Sequence, residues 1–186
     1  MAYKHYRVGE VVQPFTLPSA GGGTVTLTPS ASSATVVVWT CNHCPYALAW
    51  HERLQAVARD YADKGVTVLQ INANDAEKYP LDSFEAMQTR VAAGDLAGEY
   101  LWDADQSTSK DWGARVTPDV FVLDADGRLV YRGAPDGDHD DEGQNAAWLR
   151  EALDDVVAGR PVSRQETKPR GCAVKWKVND QPNPYV

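Results

Sequence analysis

The sequence predicts an α/β domain in which one mixed sheet carries helices on its faces. Three observations carry that reading. Residues 35–39 (TVVVW) form a continuous β-branched run, the pattern of a central strand buried on both faces. Over 46–64, Ala47, Trp50, Leu54, Val57, Ala58 and Tyr61 recur at three- and four-residue steps, which marks an amphipathic helix. Residues 66–71 then return to an apolar strand, so strand, helix and strand make a βαβ unit. Residues 119–123 and 128–131 are two more strands, joined by Asp124-Ala125-Asp126-Gly127, a strong hairpin turn. A βαβ half joined to a ββα half closes into one sheet.

The remaining elements follow in order. Phe15-Thr16-Leu17 and Thr24-Val25-Thr26-Leu27 flank Pro18 and Gly21–Gly23, which predicts a hairpin within residues 1–33. Pro45 suits the first turn of the long helix, and Lys64-Gly65 suits its end. Residues 72–100 read as an insert holding a helix that starts at 80–83, capped by Asp82 or Ser83, and runs to Val91. A short helix is expected over 106–112, ending at Gly113. The last helix spans 145–158, with Ala147, Trp148, Ala152, Val156 and Val157 mainly inward and Gly159-Arg160-Pro161 as its stop. The whole chain, 1–186, is read as one domain: hairpin 1–33, core 34–159 and tail 160–186. The tail holds six Lys or Arg against two acids, so it carries +4 and the rest −12. It is expected to lie back over the acidic body.

The net charge of −8 argues against nucleic acid or an anionic membrane as the main partner, since both need a basic field. Three cysteines, an odd number, argue against a disulfide-stapled secreted scaffold. The start, MAYKHYRVGE, has no apolar run, so no signal peptide is expected. The longest apolar stretch, Ala34–Trp39, is too short to cross a bilayer. These features together predict a soluble protein of the reducing cytoplasm. In that compartment a C-x-x-C pair is more often chemical than structural.

That pair lies in Thr40-Cys41-Asn42-His43-Cys44-Pro45, between the buried strand and the helix start. A helix N-terminus offers unpaired N–H groups and a partial positive charge, so a thiolate placed there is stabilised. Cys41, in the turn, is the candidate nucleophile, with a pKa expected below that of a free thiol. Cys44, in the first helical turn, is the candidate resolving thiol. His43 favours the thiolate further, and Asn42 and Pro45 complete the tuning shell. The competing reading is half of a zinc or copper site. Its further ligands would have to come from Cys172, His43, His51, His5 and His139, and no second C-x-x-C or H-x-x-H exists.

These residues also carry a resemblance. The strand–CNHCP–helix unit followed by Val116-Thr117-Pro118-Asp119-Val120-Phe121 resembles the thioredoxin superfamily. More closely, the chain is similar to an AhpC/TSA-like, redoxin branch with CNHCPY near its start. Lys64–Asp75, Tyr79–Ser83, Thr117–Asp124, Tyr131–Gly133 and the closing GCAVKWK at Gly171–Lys177 are the further matching pieces. The resemblance implies a thioredoxin fold with a cis Pro118 beside the cysteines. It also implies that the Thr117 backbone pairs with an extended substrate segment. Two departures stand out. Thr35 occupies the position of the buried proton-accepting aspartate of thioredoxins. The peroxidase arrangement P-x-x-x-[ST]-x-x-C is absent, with Ala34 and Val38 where its proline and its [ST] would fall relative to Cys41.

The functional expectation is a thiol–disulfide oxidoreductase that needs no cofactor. It would act on a protein or small-molecule disulfide or dithiol, with an unidentified reductant, as a monomer or homodimer. A thiolate–histidine metal-binding protein is the alternative, and a peroxiredoxin-like antioxidant the lesser one. Trp39 is a candidate groove residue with Thr117 and Pro118, its competing role being core packing. Cys172 is a candidate third thiol, although a small buried hydrophobe is the more common use of a free cysteine. The acidic run 136–143 reads as a solvated loop rather than a calcium site, because it lacks the D-x-D-x-D-G spacing.

Overall fold

A computed structural model describes residues 3–177. Its centre is a five-stranded mixed sheet in the spatial order β5-β4-β3-β7-β8. The strands are β3 (Ala34–Trp39), β4 (Val66–Asn72), β5 (Glu99–Trp102), β7 (Asp119–Asp124) and β8 (Leu129–Gly133). β3 pairs in parallel with β4, and β4 with β5, while β7 runs antiparallel to β3 and β8 antiparallel to β7. All six residues of β3 are buried, which accounts for its unbroken apolar sequence. Val36 and Val38 face one core layer, and Val37 and Trp39 the other.

The first layer is closed by α1 (Pro45–Tyr61) and α4 (Ala147–Val157). In α1 the six apolar positions read from the sequence are all buried, and Gly65 ends the segment at φ +76°. In α4 the inward residues are Leu149, Ala152 and Leu153. Trp148 and Val156 are only partly buried and Val157 is exposed, so the expected inward face was rotated by about one position. The second layer is closed by the N-terminal segment, including the hairpin of β1 (Thr16–Pro18) and β2 (Thr24–Thr26), and by α3 (Ser107–Trp112). Trp39, Trp112 and Phe121 meet there with ring centroids 5.2–5.4 Å apart. Each fully buried ring or aliphatic side chain of this kind contributes about 1.5–3 kcal/mol.

Between β4 and β5 lies α2 (Phe84–Ala92). Ser83 is its N-cap and accepts from the Ala86 N–H at 3.1 Å, which settles the cap and leaves the Asp82 carboxylate for another use. The end of the expected insert, Glu99 and Tyr100, belongs with Leu101 and Trp102 to the edge strand β5. Beyond α4 the chain runs back across the body. Arg132 donates its N–H to Gln165 O (3.0 Å) and accepts from Thr167 N (3.0 Å). A two-stranded ladder then joins β6 (Val116–Thr117) to β9 (Cys172–Ala173). The tail therefore docks mainly through its backbone. Among the described residues no helix is long and apolar enough to cross a membrane.

Candidate active site

The C-terminal end of β3 delivers Thr40 and Cys41 to the turn, and Cys44 is the N-cap of α1 with exposed Pro45 at its first position. Both sulfurs are buried: Cys41 and Cys44 are each 1% exposed. Cys41 Sγ accepts from the Cys44 N–H at 3.3 Å and lies 3.4 Å from Thr117 Oγ1. Cys44 Sγ donates to the Thr117 carbonyl at 3.3 Å. The Thr117–Pro118 peptide is cis, and both residues are buried.

The two thiols titrate as one unit. Their mutual hydrogen bond lets one sulfur hold the charge while the other keeps the proton. Cys44 is thereby lowered to about 4, with smaller contributions from Cys172 and the Ala47 N–H. Cys41 is raised above its ordinary value by the same bond, then by burial and by the Asp82 carboxylate. What is made acidic is the pair, rather than Cys41 by itself. The sequence argument counted the helix N-terminus but not the mutual bond or a buried carboxylate beside the turn.

That carboxylate is the main residue sequence reasoning missed. Asp82 has a side chain 0% exposed. It accepts from the Asn42 N–H at 2.6 Å, Asn72 Nδ2 at 3.1 Å and Asn74 Nδ2 at 3.0 Å, and binds His43 Nδ1. His43 also stacks on Tyr79, with centroids 5.3 Å apart and planes 2° apart. Its Nδ1 is thus directed at Asp82. Asn42 is locked as well: its Oδ1 accepts from Arg90 Nη1 (2.8 Å) and Tyr100 OH (2.7 Å), and its Nδ2 donates to Leu81 O (2.8 Å). A buried acid two residues after a proline and just before a capping serine was the available signal. It was read only as a possible cap.

Two groove assignments need correction. Trp39 is fully buried, packs against Trp112 and Phe121, and donates Nε1–H to Ser109 Oγ at 2.6 Å. It is a core residue and lines no groove. The Thr117 edge does not stand open, because Cys172 is its ladder partner and Ala173 pairs with Val116. Gly171 lies so close that a Cβ there would come within 2.2 Å of Thr117 O. The strap of residues 171–177 is held further on: Val174 N donates to Arg115 O (3.0 Å), Lys175 N to Asn74 Oδ1 (2.9 Å) and Lys177 N to Gln106 Oε1 (3.0 Å). Through Asn74 the strap joins the hydrogen bonds of Asp82 and His43. Cys172 itself packs against Cys41, Cys44 and Ala47.

Among the described residues, two groups have donor sets within reach of a single cation. They are Cys41, His43 and Asp82, and Asp138, His139 and Asp140. In the first, the Asp82 oxygens and His43 Nδ1 are already engaged with one another and with Asn42, Asn72 and Asn74. The acidic loop is more structured than its sequence suggested. Its first residue, Asp136, is buried, and Arg53 gathers the carbonyls of Asp138 (2.9 Å), His139 (3.1 Å) and Asp141 (2.6 Å).

A mixed sheet with a strand–C-x-x-C–helix turn facing a cis-proline loop defines a protein of the thioredoxin fold. A putative thioredoxin from Neisseria meningitidis shares it, with a TM-score of 0.63 at 21% identity over 81% of this chain and 91% of that one. Residues 7–148 match the redoxin family, and the chain belongs to it. A hypothetical protein from Sinorhizobium meliloti 1021 is similar over nearly the whole length, with 37% identity, a TM-score of 0.88, and coverage of 94% of this chain and 97% of that one. A curated relative is the thiol:disulfide interchange protein DsbE of Allochromatium vinosum, 30% identical over 121 residues. That match takes in 63% of this chain and 61% of the relative's length.

Proposed function

We propose that the protein is a thiol–disulfide oxidoreductase that works through the Cys41–Cys44 pair. The observation that carries this reading is the pair itself: two free thiols at a strand–helix junction, coupled so that one ionises easily. Similarity to an interchange protein supports it. In the proposed cycle Cys41 attacks a disulfide of the substrate and forms a mixed disulfide, and the substrate's other sulfur leaves as a thiolate. Cys44 then attacks Cys41, closing the Cys41–Cys44 disulfide and releasing the second substrate thiol. The charge needed on Cys41 comes from Cys44 by proton exchange along their bond, and the Cys44 N–H stabilises it. His43, oriented by Asp82, and Asn42, fixed by Arg90 and Tyr100, set the turn's geometry. No bound cofactor takes part in this exchange. The reductant that returns the pair to dithiols is a separate partner.

Reduction of insulin disulfides by the dithiol protein tests the reading, together with trapping by Cys44→Ser. The expected results are turnover by the wild-type protein, none by Cys41→Ser, and a stable mixed disulfide on Cys41 in the trap. Absence of both turnover and trapping would overturn it. The Cys41, His43 and Asp82 cluster supports a second reading as a metal site. Stoichiometric metal in protein purified without chelator, lost on Cys41→Ser, would favour that reading instead.

A further inference from the structure

We propose that Cys172 is a third redox thiol, which exchanges with the Cys41–Cys44 disulfide at the Cys44 sulfur. The proposal rests on the exchange reading above and adds a partner for the pair within its own chain. Three features place Cys172 there. It shares one packed cluster with Cys41, Cys44 and Ala47. It is the ladder partner of Thr117, whose carbonyl accepts from Cys44 Sγ at 3.3 Å, so both residues converge on Thr117. Its backbone is pinned on both sides, by the close approach of Gly171 to Thr117 O and by the Val174 and Lys175 hydrogen bonds.

The three sulfurs differ in access. Cys41 and Cys44 are buried, whereas Cys172 is partly exposed. Of the three, Cys172 is the residue most open to solvent. The acidities agree with close contact. Burial and the facing Cys44 sulfur push Cys172 up to about 11, while Cys172 helps to lower Cys44.

The step balances without any added reagent. Cys172 gives its proton to solvent, and its thiolate attacks Cys44 Sγ in line with the Cys41–Cys44 bond. The Cys44–Cys172 bond forms as the Cys41–Cys44 bond breaks. The electron pair stays on Cys41, which takes up a proton. One disulfide replaces another, and the oxidising equivalent moves from the buried pair to a sulfur that solvent reaches.

The test uses full-length wild-type, Cys41→Ser, Cys44→Ser and Cys172→Ser proteins. Each is oxidised with diamide, alkylated under denaturing conditions and mapped by peptide mass spectrometry. Cys41→Ser is expected to close an intramolecular Cys44–Cys172 disulfide, losing two hydrogens and every free thiol. Cys44→Ser should close Cys41–Cys172 at least about tenfold more slowly, because it is the Cys44 sulfur that faces Cys172 beside the Thr117 carbonyl. Oxidised wild-type protein should contain Cys44–Cys172 beside Cys41–Cys44, and Cys172→Ser only the latter. Two free thiols remaining in Cys41→Ser, or equal closure rates in the two single variants, would overturn the proposal. So would wild-type protein holding Cys41–Cys44 alone, a measurement that needs no variant to fold. If Cys44–Cys172 forms but neither insulin turnover nor trapping is seen, this proposal stands and the functional reading falls. If insulin is reduced and no Cys172 linkage forms, only this proposal falls.

Discussion

Asp82 and Asp136 are both buried acids, and they are held in different ways. Asp136 accepts from Trp50 Nε1 at 2.8 Å, from the N–H of Asp138 (3.1 Å) and Ala146 (2.9 Å), and pairs with Arg53 at 2.9 Å. Asp82 has a similar number of donors, but three are neutral amides and the fourth is the His43 ring. A guanidinium is charged at every accessible pH, whereas an imidazole changes charge in the physiological range. Asp136 is therefore a fixed anchor that ties α1 to the loop before α4. Asp82 is a carboxylate beside Cys41 whose only ring partner is His43 among the described residues. Equal burial thus conceals unequal purpose, and the identity of the counter-ion separates the two.

The largest effect is expected at the anchor. Arg53→Met leaves Asp136 buried without its cation, a loss of about 3–5 kcal/mol in denaturant unfolding. The thiol chemistry of the protein that remains folded should be unchanged. A variant that kept full stability would place Asp136 with Asp82 rather than against it. Asp82→Asn should cost less, about 1–3 kcal/mol, because an amide keeps the shape while mismatching some donors. Its distinguishing result is chemical. The Asp82 carboxylate helps to raise Cys41, so in a Cys44→Ser background its removal should lower the Cys41 pKa and speed alkylation at neutral pH. An unchanged alkylation profile would make Asp82 a second anchor.

The strap provides the next test. Gly171→Ala puts a Cβ within 2.2 Å of Thr117 O, which a backbone atom cannot absorb, at a cost of about 1–3 kcal/mol. Hydrogen exchange should rise at Val174 and Lys175, whose N–H groups hold the strap, and stay low in β3 and β7. Ser83→Ala removes the α2 cap and should cost about 1 kcal/mol, with Asp82 still bound to the Asn42 N–H. A pH dependence follows as well. Cys44 lowered to about 4 adds stability that is complete above the unfolded thiol value of about 8.5 and is lost as pH falls through 4. The stability difference between wild-type protein and Cys44→Ser should therefore widen from pH 5 to pH 8. A flat difference would mean that the mutual bond does not hold the charge on Cys44.

The comparison also shows what the amino-acid order could disclose. β3, α1, β4 and the β7–β8 hairpin were readable because their signals are local: β-branched runs, a 3.6-residue period and an Asp-Gly turn. Cys41, His43 and Cys44 were readable for the same reason, as one motif. β5 was not, since Glu99–Trp102 is short and only Tyr100 and Leu101 are buried. β9 is two residues long, and its only warrant is a distant partner at Val116–Thr117. Asp82, Asn72, Asn74, Arg90 and Tyr100 reach the turn from elements far along the chain, so no spacing rule could gather them. Val178–Val186, the end of the tail expected to cover the acidic body, lies outside the described residues.

The β6–β9 ladder also has a consequence in time. A ribosome makes Cys41 and Cys44 roughly 130 residues before Cys172. At about 5–20 residues per second that gap is on the order of ten seconds. The Thr117 strand follows Cys41 by 76 residues, and for the 55 residues between it and Cys172 the turn and that strand exist without their strap. The segment that shuts the thiols away is thus synthesised long after them.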